Sequence, residues 1–334
     1  MKNTLKIILA ALGVMLLAEG CDSATLGTGQ EAATGAPYEL IVVADNVLWE
    51  GPVGDTLRVV CADLVPNLNE PEPRLDLMRV LPSAYKGFIK IHRNVLYLDI
   101  DPSVEDVKAI AEQDKFSDGQ MFMKVTAPNA EVMTDFLSNY REDILVQYET
   151  AERDRALKMN NKHKEGVMVD KIRDMFGFHI DLPRGYTPRG TSGDSLLVTS
   201  FEYPTATQGI AVYSYPYENE NDLRLDSLTH ERNNFVKNIP GPSGKSYMTT
   251  VSGAYGPEIS YRLINGRKWA EVRGFWNLEG PDFMGGPMIN WTTLDEKNRR
   301  LISIDCYVYS PKDGQRDLVR GMEHLIYSVK FPEQ

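Results

Sequence analysis

The chain has 334 residues, 42% hydrophobic and 25% charged, with a formal net charge of −11. That is an ordinary globular composition, long enough for two domains with a core each, so disorder is not the default. The negative balance repels polyanions and argues against nucleic acid as a partner. No apolar run of eighteen or more residues follows the N-terminal segment, so no span of the mature chain is expected.

The first residues read as a leader. Lys2 and Lys6 precede an apolar run from Ile7 to Ala18. About a dozen residues cannot cross ~30 Å of hydrocarbon as a helix, but they have the proportions of a secretory signal. The next four residues, Ala18-Glu19-Gly20-Cys21, resemble the lipobox of bacterial lipoprotein precursors, in a relaxed form typical of Bacteroidota. That resemblance implies removal of residues 1–20 and acyl chains on Cys21. The alternative is a plain signal peptide with an incidental Cys21. Residues 22–37 weigh against it, because they are rich in Ser, Thr, Gly and Ala and read as a flexible tether reaching about 20 Å. A free thiol there would be reactive, whereas an acylated one is an anchor. Residues 21–37 are therefore expected to form a lipidated tether. It would hold the chain at the cell envelope, on the periplasmic face of either membrane or at the cell surface, with the lipid bilayer as partner.

The first α+β domain is expected over 38–128. "YELIVVAD" (38–45) reads as a strand. Leu57, Val60, Cys61 and Leu64 keep the i, i+3, i+4, i+7 spacing of a buried helical stripe, stopped by Pro66 and "NEPEP". "RLDLMRVL" (74–81) and "NVLYLDID" (94–101) are strands, "PSVEDVKAIAEQD" (102–114) a helix opened by Pro102, and "GQMFMKVTA" (119–127) a strand.

A connector is expected over 129–177. Asn129 is a good N-cap for a long helix carrying Met133, Phe136, Leu137, Tyr140, Ile144, Tyr148 and Ala151 on one stripe. A helix over 129–165 would run about 55 Å, its charged second half a solvated arm. "VMVDKIRDMFG" (167–177) reads as a short helix closed by Gly177.

The second α+β domain takes 178–334. Strands are expected at "FHIDLP", "SLLVTSFEY", "GIAVYSYPY", "SYMTTV", "EISYRLI", "GRKWAEVRGFWNL" and "RRLISIDCYVYS", with Asn265-Gly266 turning between two of them. Helices are expected at 221–239 and near the C-terminus. The fold class is thus α+β: two domains with mainly antiparallel sheets, joined through a long charged helix. Cys61 on its helix and Cys306 on its strand both fall at core positions and read as free buried thiols.

Several stretches together resemble a known family: the lipobox with its tether, "HRNVLYLDI", the charged helix before "FGFHIDLPRGY", "HERNN" and "EVRGFWNLEGPDFMGGP". The mature chain is similar to Bacteroidota lipoproteins classed as a domain of unknown function, a family that implies no reaction. The second domain is similar in outline to PsbP/Mog1-type α+β sandwiches, which speaks to fold and not to function.

Motif chemistry is mostly missing. "IPGPSGKSYMTT" holds Gly244-Lys245-Ser246, but Ile239 stands where a P-loop's first glycine belongs, and a strand rather than a helix follows. "GTSGD" (190–194) lacks the last glycine of a nucleophile elbow. His92, His163, His179, His230 and His324 share no local metal spacing, and no cofactor, metal ligand or catalytic residue is assigned.

One constellation stands out. Alternation puts Trp269, Glu271, Arg273 and Phe275 on one face of their strand, and Asp305, Tyr307 and Tyr309 opposite the Ile302/Ile304/Cys306/Val308 core face of theirs. If these strands pair, one sheet face carries all of them. It is then either an outer face of cross-strand ion pairs under a helix, or an aromatic-rimmed groove for a ligand or partner. "GPDFMGGP" (280–287) would be a mobile loop near it. The function expected is a non-enzymatic binding or scaffolding lipoprotein with an envelope protein or polymer as partner. Two alternatives remain: a hydrolase of envelope polymers using Glu271 and Asp305 as paired carboxylates, or a small-ligand carrier with a deep apolar pocket.

Overall fold

The computed structural model describes residues 30–163 and 165–332, so Cys21 and the expected leader lie outside the described residues. The described residues form two units, one of 30–64 and 73–152 and one of 65–72 and 153–332.

The first unit runs β1 (Glu39–Val43), α1 (Asn46–Glu50), α2 (Pro52–Cys61), β2 (Asp76–Val80), β3 (Asn94–Ile100), β4 (Lys108–Gln113), β5 (Met121–Ala127), α3 (Ala130–Asn139) and the start of α4 (Arg141–Lys162). Its sheet has the order β2-β1-β3-β5-β4. Here the antiparallel expectation does not hold, since β1–β2, β1–β3 and β3–β5 pair parallel and only β4–β5 antiparallel. Parallel strands need crossovers that cover the sheet, and both faces are covered. Leu40, Val42 and Leu96 pack with Val53, Leu57, Met133, Leu137 and Tyr148 on one face, while Ile41, Val43, Val95 and Phe122 form the other core.

Three expectations change in this unit. Residues 102–114 are not a helix. Asp101 caps a turn by accepting from Ser103, and 108–113 become an edge strand with Lys108, Ile110 and Glu112 exposed. Edge pairing with β5 overrides a modest helical propensity, and charge on an edge strand blocks further pairing. The end of the segment expected as a tether is paired to the first unit, since Ala33 N donates to Asp118 O at 2.9 Å and Thr34 N to Ile91 O at 3.0 Å. Finally, 129–177 is not a separate connector. The helix is broken at Tyr140, and Ile144, Leu145, Tyr148 and Ala151 of α4 belong to the first core. Cys61 is a free buried thiol there, pushed up to about 12 by burial.

The second unit holds the rest of α4, then α5 (Gly166–Phe176), β6 (Thr187–Ser192), β7 (Leu196–Glu202), β8 (Thr207–Pro216), α6 (Leu225–Val236), β9 (Tyr247–Thr250), β10 (Glu258–Ile264), β11 (Arg267–Glu279), β12 (Gly285–Asp295), β13 (Arg300–Tyr309) and α7 (Arg316–Leu325). Seven strands follow the antiparallel order β10-β11-β12-β13-β8-β7-β6, and β9 pairs with the far half of β11. The α+β class holds, and this sheet is antiparallel throughout. The expected strand at 178–183 reduces to one bridge between His179 and Lys330.

Two helices, α5 and α7, supply Met168, Ile172, Phe176, Val319, Met322 and Leu325 to a core on one sheet face with Trp269, Ile304 and Cys306. The other face packs Val272, Trp276, Met288 and Tyr307 against Leu228 and Val236 of α6. Residues 65–72 belong here: Glu72 Oε1 accepts from Gln315 N at 2.6 Å and Arg316 N at 3.1 Å, capping α7 with a carboxylate.

The docking of α4 on the first sheet is testable. Glu152, buried, accepts from Tyr38 N at 3.1 Å and Asn94 Nδ2 at 2.7 Å, and pairs with Arg93 at 2.9 Å. Glu152→Ala strands these donors and is expected to cost about 3 kcal/mol. Amide exchange in β1 and β3 should then accelerate by about 100-fold while the amides of β13 keep their protection.

Candidate functional site

The predicted constellation divides between the two faces of the eight-stranded sheet. The cause is β12, which the sequence reading leaves out. Glu271 pairs with Trp291 and Trp291 with Ile304, so Glu271 shares a face with Ile304. Asp305 pairs with Asn290, which pairs with Val272, so Asp305 lies on the opposite face. Trp269, Glu271, Arg273 and Phe275 thus face α7, and Asp305 and Tyr307 face α6. The shared aromatic groove is not formed.

Each carboxylate is instead part of a helix–sheet seam. On the α6 face Arg232, 0% exposed, donates from Nε to Asp305 Oδ1 at 2.6 Å, from Nη2 to Oδ2 at 3.1 Å and from Nη1 to Thr250 Oγ1 at 2.8 Å. Asn290 Nδ2 reaches the same Asp305 oxygen at 3.2 Å and Tyr213 Oη at 2.8 Å. Asn233 accepts from Thr250 N and Oγ1 at 3.0 and 2.7 Å. The "HERNN" stretch therefore places two successive polar residues in one buried network. Tyr307 packs edge-on to Trp276 with centroids 5.7 Å apart, and burial pushes its hydroxyl well up.

On the α7 face Arg273 bridges Glu271 and Glu323, and Arg320 Nη1 donates to Glu323 at 3.0 Å. Arg262 Nε lies 2.7 Å from Glu271 Oε2, without the alignment of a hydrogen bond. Burial raises the Glu323 carboxyl, but Arg273 and Arg320 overcome it and hold the group down at about 2. Trp269 is core, 6.4 Å from the Phe331 ring, and Phe275 is half-buried. Glu271 and Asp305 are on opposite faces and each is neutralised by arginine, so they form no acid–base pair. Cys306 is a free buried thiol raised by burial. Among the described residues no group of His, Cys, Asp or Glu is arranged to hold a metal ion.

The glycine-rich loop is pinned rather than mobile. Asp282 accepts from Ser243 Oγ at 2.6 Å and N at 3.2 Å, and Asp282 N donates to Ser246 Oγ at 2.9 Å. The Ser243 hydroxyl holds the Asp282 carboxyl below the usual range. Gly280 has φ +123°, and a Cβ there would sit 2.7 Å from Ser246 Oγ. The Gly-Lys-Ser stretch is therefore the brace for this loop, and the loop presents Phe283 at 97% exposure.

Residues 33–161 match the family model "Domain of unknown function (DUF8532)" and residues 165–328 match "Domain of unknown function (DUF4837)". The two models lie one after the other along the chain, and each describes a domain without an assigned function. No curated protein matches it. Among solved structures, cyanobacterial PsbP (CyanoP) from Synechocystis sp. PCC 6803 is similar over 47% of this chain and 87% of its own, at 15% identity and TM-score 0.29. The Ran-binding protein Mog1p of Saccharomyces cerevisiae is similar over 46% of this chain and 89% of its own, at 9% identity and TM-score 0.28. Both neighbours are α+β sandwiches, and the likeness concerns the fold alone.

Two measurements check the seams in the second unit. Arg232→Leu or Asp305→Leu alone leaves a buried charge unpaired and should cost about 3–5 kcal/mol by denaturant unfolding. The double variant should cost less than the sum of the two, a non-additivity of at least about 1 kcal/mol. For Glu323, the folded carboxyl titrates below its unfolded value, so the native state binds fewer protons. Its contribution is present above about pH 4.5 and is lost as pH falls toward 2. Glu323→Gln should flatten this part of the stability profile between pH 5 and pH 3.

Proposed function

We propose that this chain is an envelope lipoprotein that binds a protein partner through its DUF4837 domain and performs no catalysis of its own. The anchor is Cys21, acylated after removal of residues 1–20. Such a reading follows from the lipobox resemblance and from the Ser, Thr, Gly and Ala composition of residues 22–37.

The observation that carries the binding role is Phe283. Nearly the whole ring faces water, on a loop whose backbone and Asp282 are held by Ser243 and Ser246. A large apolar side chain on a flexible loop loses entropy when it docks. On a braced loop that cost is already met, which is what an interface anchor needs. The carboxylates that a hydrolase would use are consumed in structural seams, so the enzyme alternative loses its named residues.

Mass spectrometry of the native N-terminus is expected to find acylated Cys21 as the first residue; an unmodified thiol or a retained leader refutes the anchoring. A photoreactive phenylalanine at position 283 in intact cells should give one discrete protein adduct, whereas the same probe at exposed Lys312 should not. Loss of the 283 adduct, or adducts to lipid alone, refutes the protein-binding role.

A further inference from the structure

A cleft of about 440 Å³ opens in the second unit beside the turn that joins β12 to β13, a volume that suits a small organic molecule. Its apolar wall is Phe176, Phe331 and Pro332. Phe331 is itself fixed by Phe178, with ring centroids 5.4 Å apart.

The charges around it are unequal. Asp295 is fully used: Arg300 Nε lies 2.9 Å from its Oδ2, and Asn298 Nδ2 donates to the same oxygen at 2.8 Å. Burial raises this carboxyl, but Asn298 and Arg300 outweigh burial and keep it ionised. Arg300 turns its other end to Phe176 O at 2.8 Å and is used as well. Arg267 is different. Its Cζ sits 3.8 Å from the Phe331 ring centroid, and one N–H goes to Leu294 O at 2.7 Å. Among the described residues no carboxylate lies within ion-pair distance of Arg267 or of exposed Lys297. Burial lowers the Arg267 pKa and the more distant Asp295 and Glu296 offset this only in part. Among the described residues the cleft thus holds two cations without a carboxylate partner, in a chain of net charge −11.

We propose that this cleft binds a small organic carboxylate with an apolar body, its carboxylate on Arg267 and Lys297 and its body against Phe176, Phe331 and Pro332. A guanidinium stacked on a ring is pre-oriented, and its remaining N–H groups fit the two oxygens of a carboxylate. A bare hydrated anion gains nothing from the aromatic wall and so binds poorly. The site is independent of Phe283, so either proposal can fail without the other.

The test is calorimetric titration of the full mature chain with octanoate and 1-naphthoate, with 1-naphthamide and inorganic phosphate as controls. At least one of the two carboxylates should saturate with Kd below about 1 mM, and the amide and phosphate should bind at least about tenfold more weakly. Arg267→Met should weaken the carboxylate by about tenfold or more, and Lys297→Gln by a few-fold. Lys297 is exposed, so Lys297→Glu keeps the fold and should abolish binding even if Arg267→Met does not fold. No saturation by either carboxylate, equal binding of acid and amide, or unchanged affinity in Lys297→Glu overturns the proposal.

Discussion

A charge that leaves water must meet its opposite, and the second unit satisfies this twice across one sheet. Arg232 meets Asp305 on the α6 face, and Arg273 meets Glu271 and Glu323 on the α7 face. Buried pairs add little net stability compared with apolar side chains of similar size, because desolvation offsets most of the attraction. What they add is selectivity. Sliding α6 by one turn would leave Asp305 unpaired beneath leucine and phenylalanine, whereas an all-apolar seam would tolerate several registers. The same argument holds for α7 through Glu323. The two helices are in this way keyed to the sheet, and the sheet end loops are placed accurately as a result.

How much of this was readable in the sequence depends on whether one segment settles the question. The period-2 alternation in "LISIDCYVY" identifies a strand and its core face, and Gly177 and Asn129 mark helix ends, because each is a local signal. The pairing of Glu271 with Asp305 was not local. It rested on the order and register of strands, and β12 begins "GGPMINWTTLD", whose glycines and proline disguise a strand. A one-residue change in register moves a residue to the other face, so the omission separated the predicted site. The residues that actually pair with the carboxylates, Arg232 and Glu323, lie on helices far away in sequence, and no spacing rule links them. For residues 102–114 the error was of another kind. The helical pattern was real but weak, and an open strand edge competed for the same backbone.

The false P-loop shows the same distinction between motif and context. Gly244-Lys245-Ser246 leads into the strand β9 and not into a helix, and its serine accepts from Asp282 N on the neighbouring loop. Glycine at 280 admits that contact because a side chain there would strike Ser246. The Gly-Lys-Ser stretch and the 280–287 loop, expected to be mobile, are one braced structure, and the exposure of Phe283 is a property of that structure.

The Phe283 loop and the Arg267 cleft occupy opposite ends of the β11–β12 hairpin. The loop joins the end of β11 to the start of β12, whereas Arg267 opens β11 and Asp295 closes β12. Thirteen residues of extended chain separate the two ends by about 40 Å. A molecule of a few hundred Å³ at one end cannot touch a partner at the other. Midway, Arg273 ties β11 to α7 through Glu323, so the strand does not slide between two positions, and any influence of one site on the other must pass through a clamped element. The arrangement favours two independent recognitions on one rigid sheet.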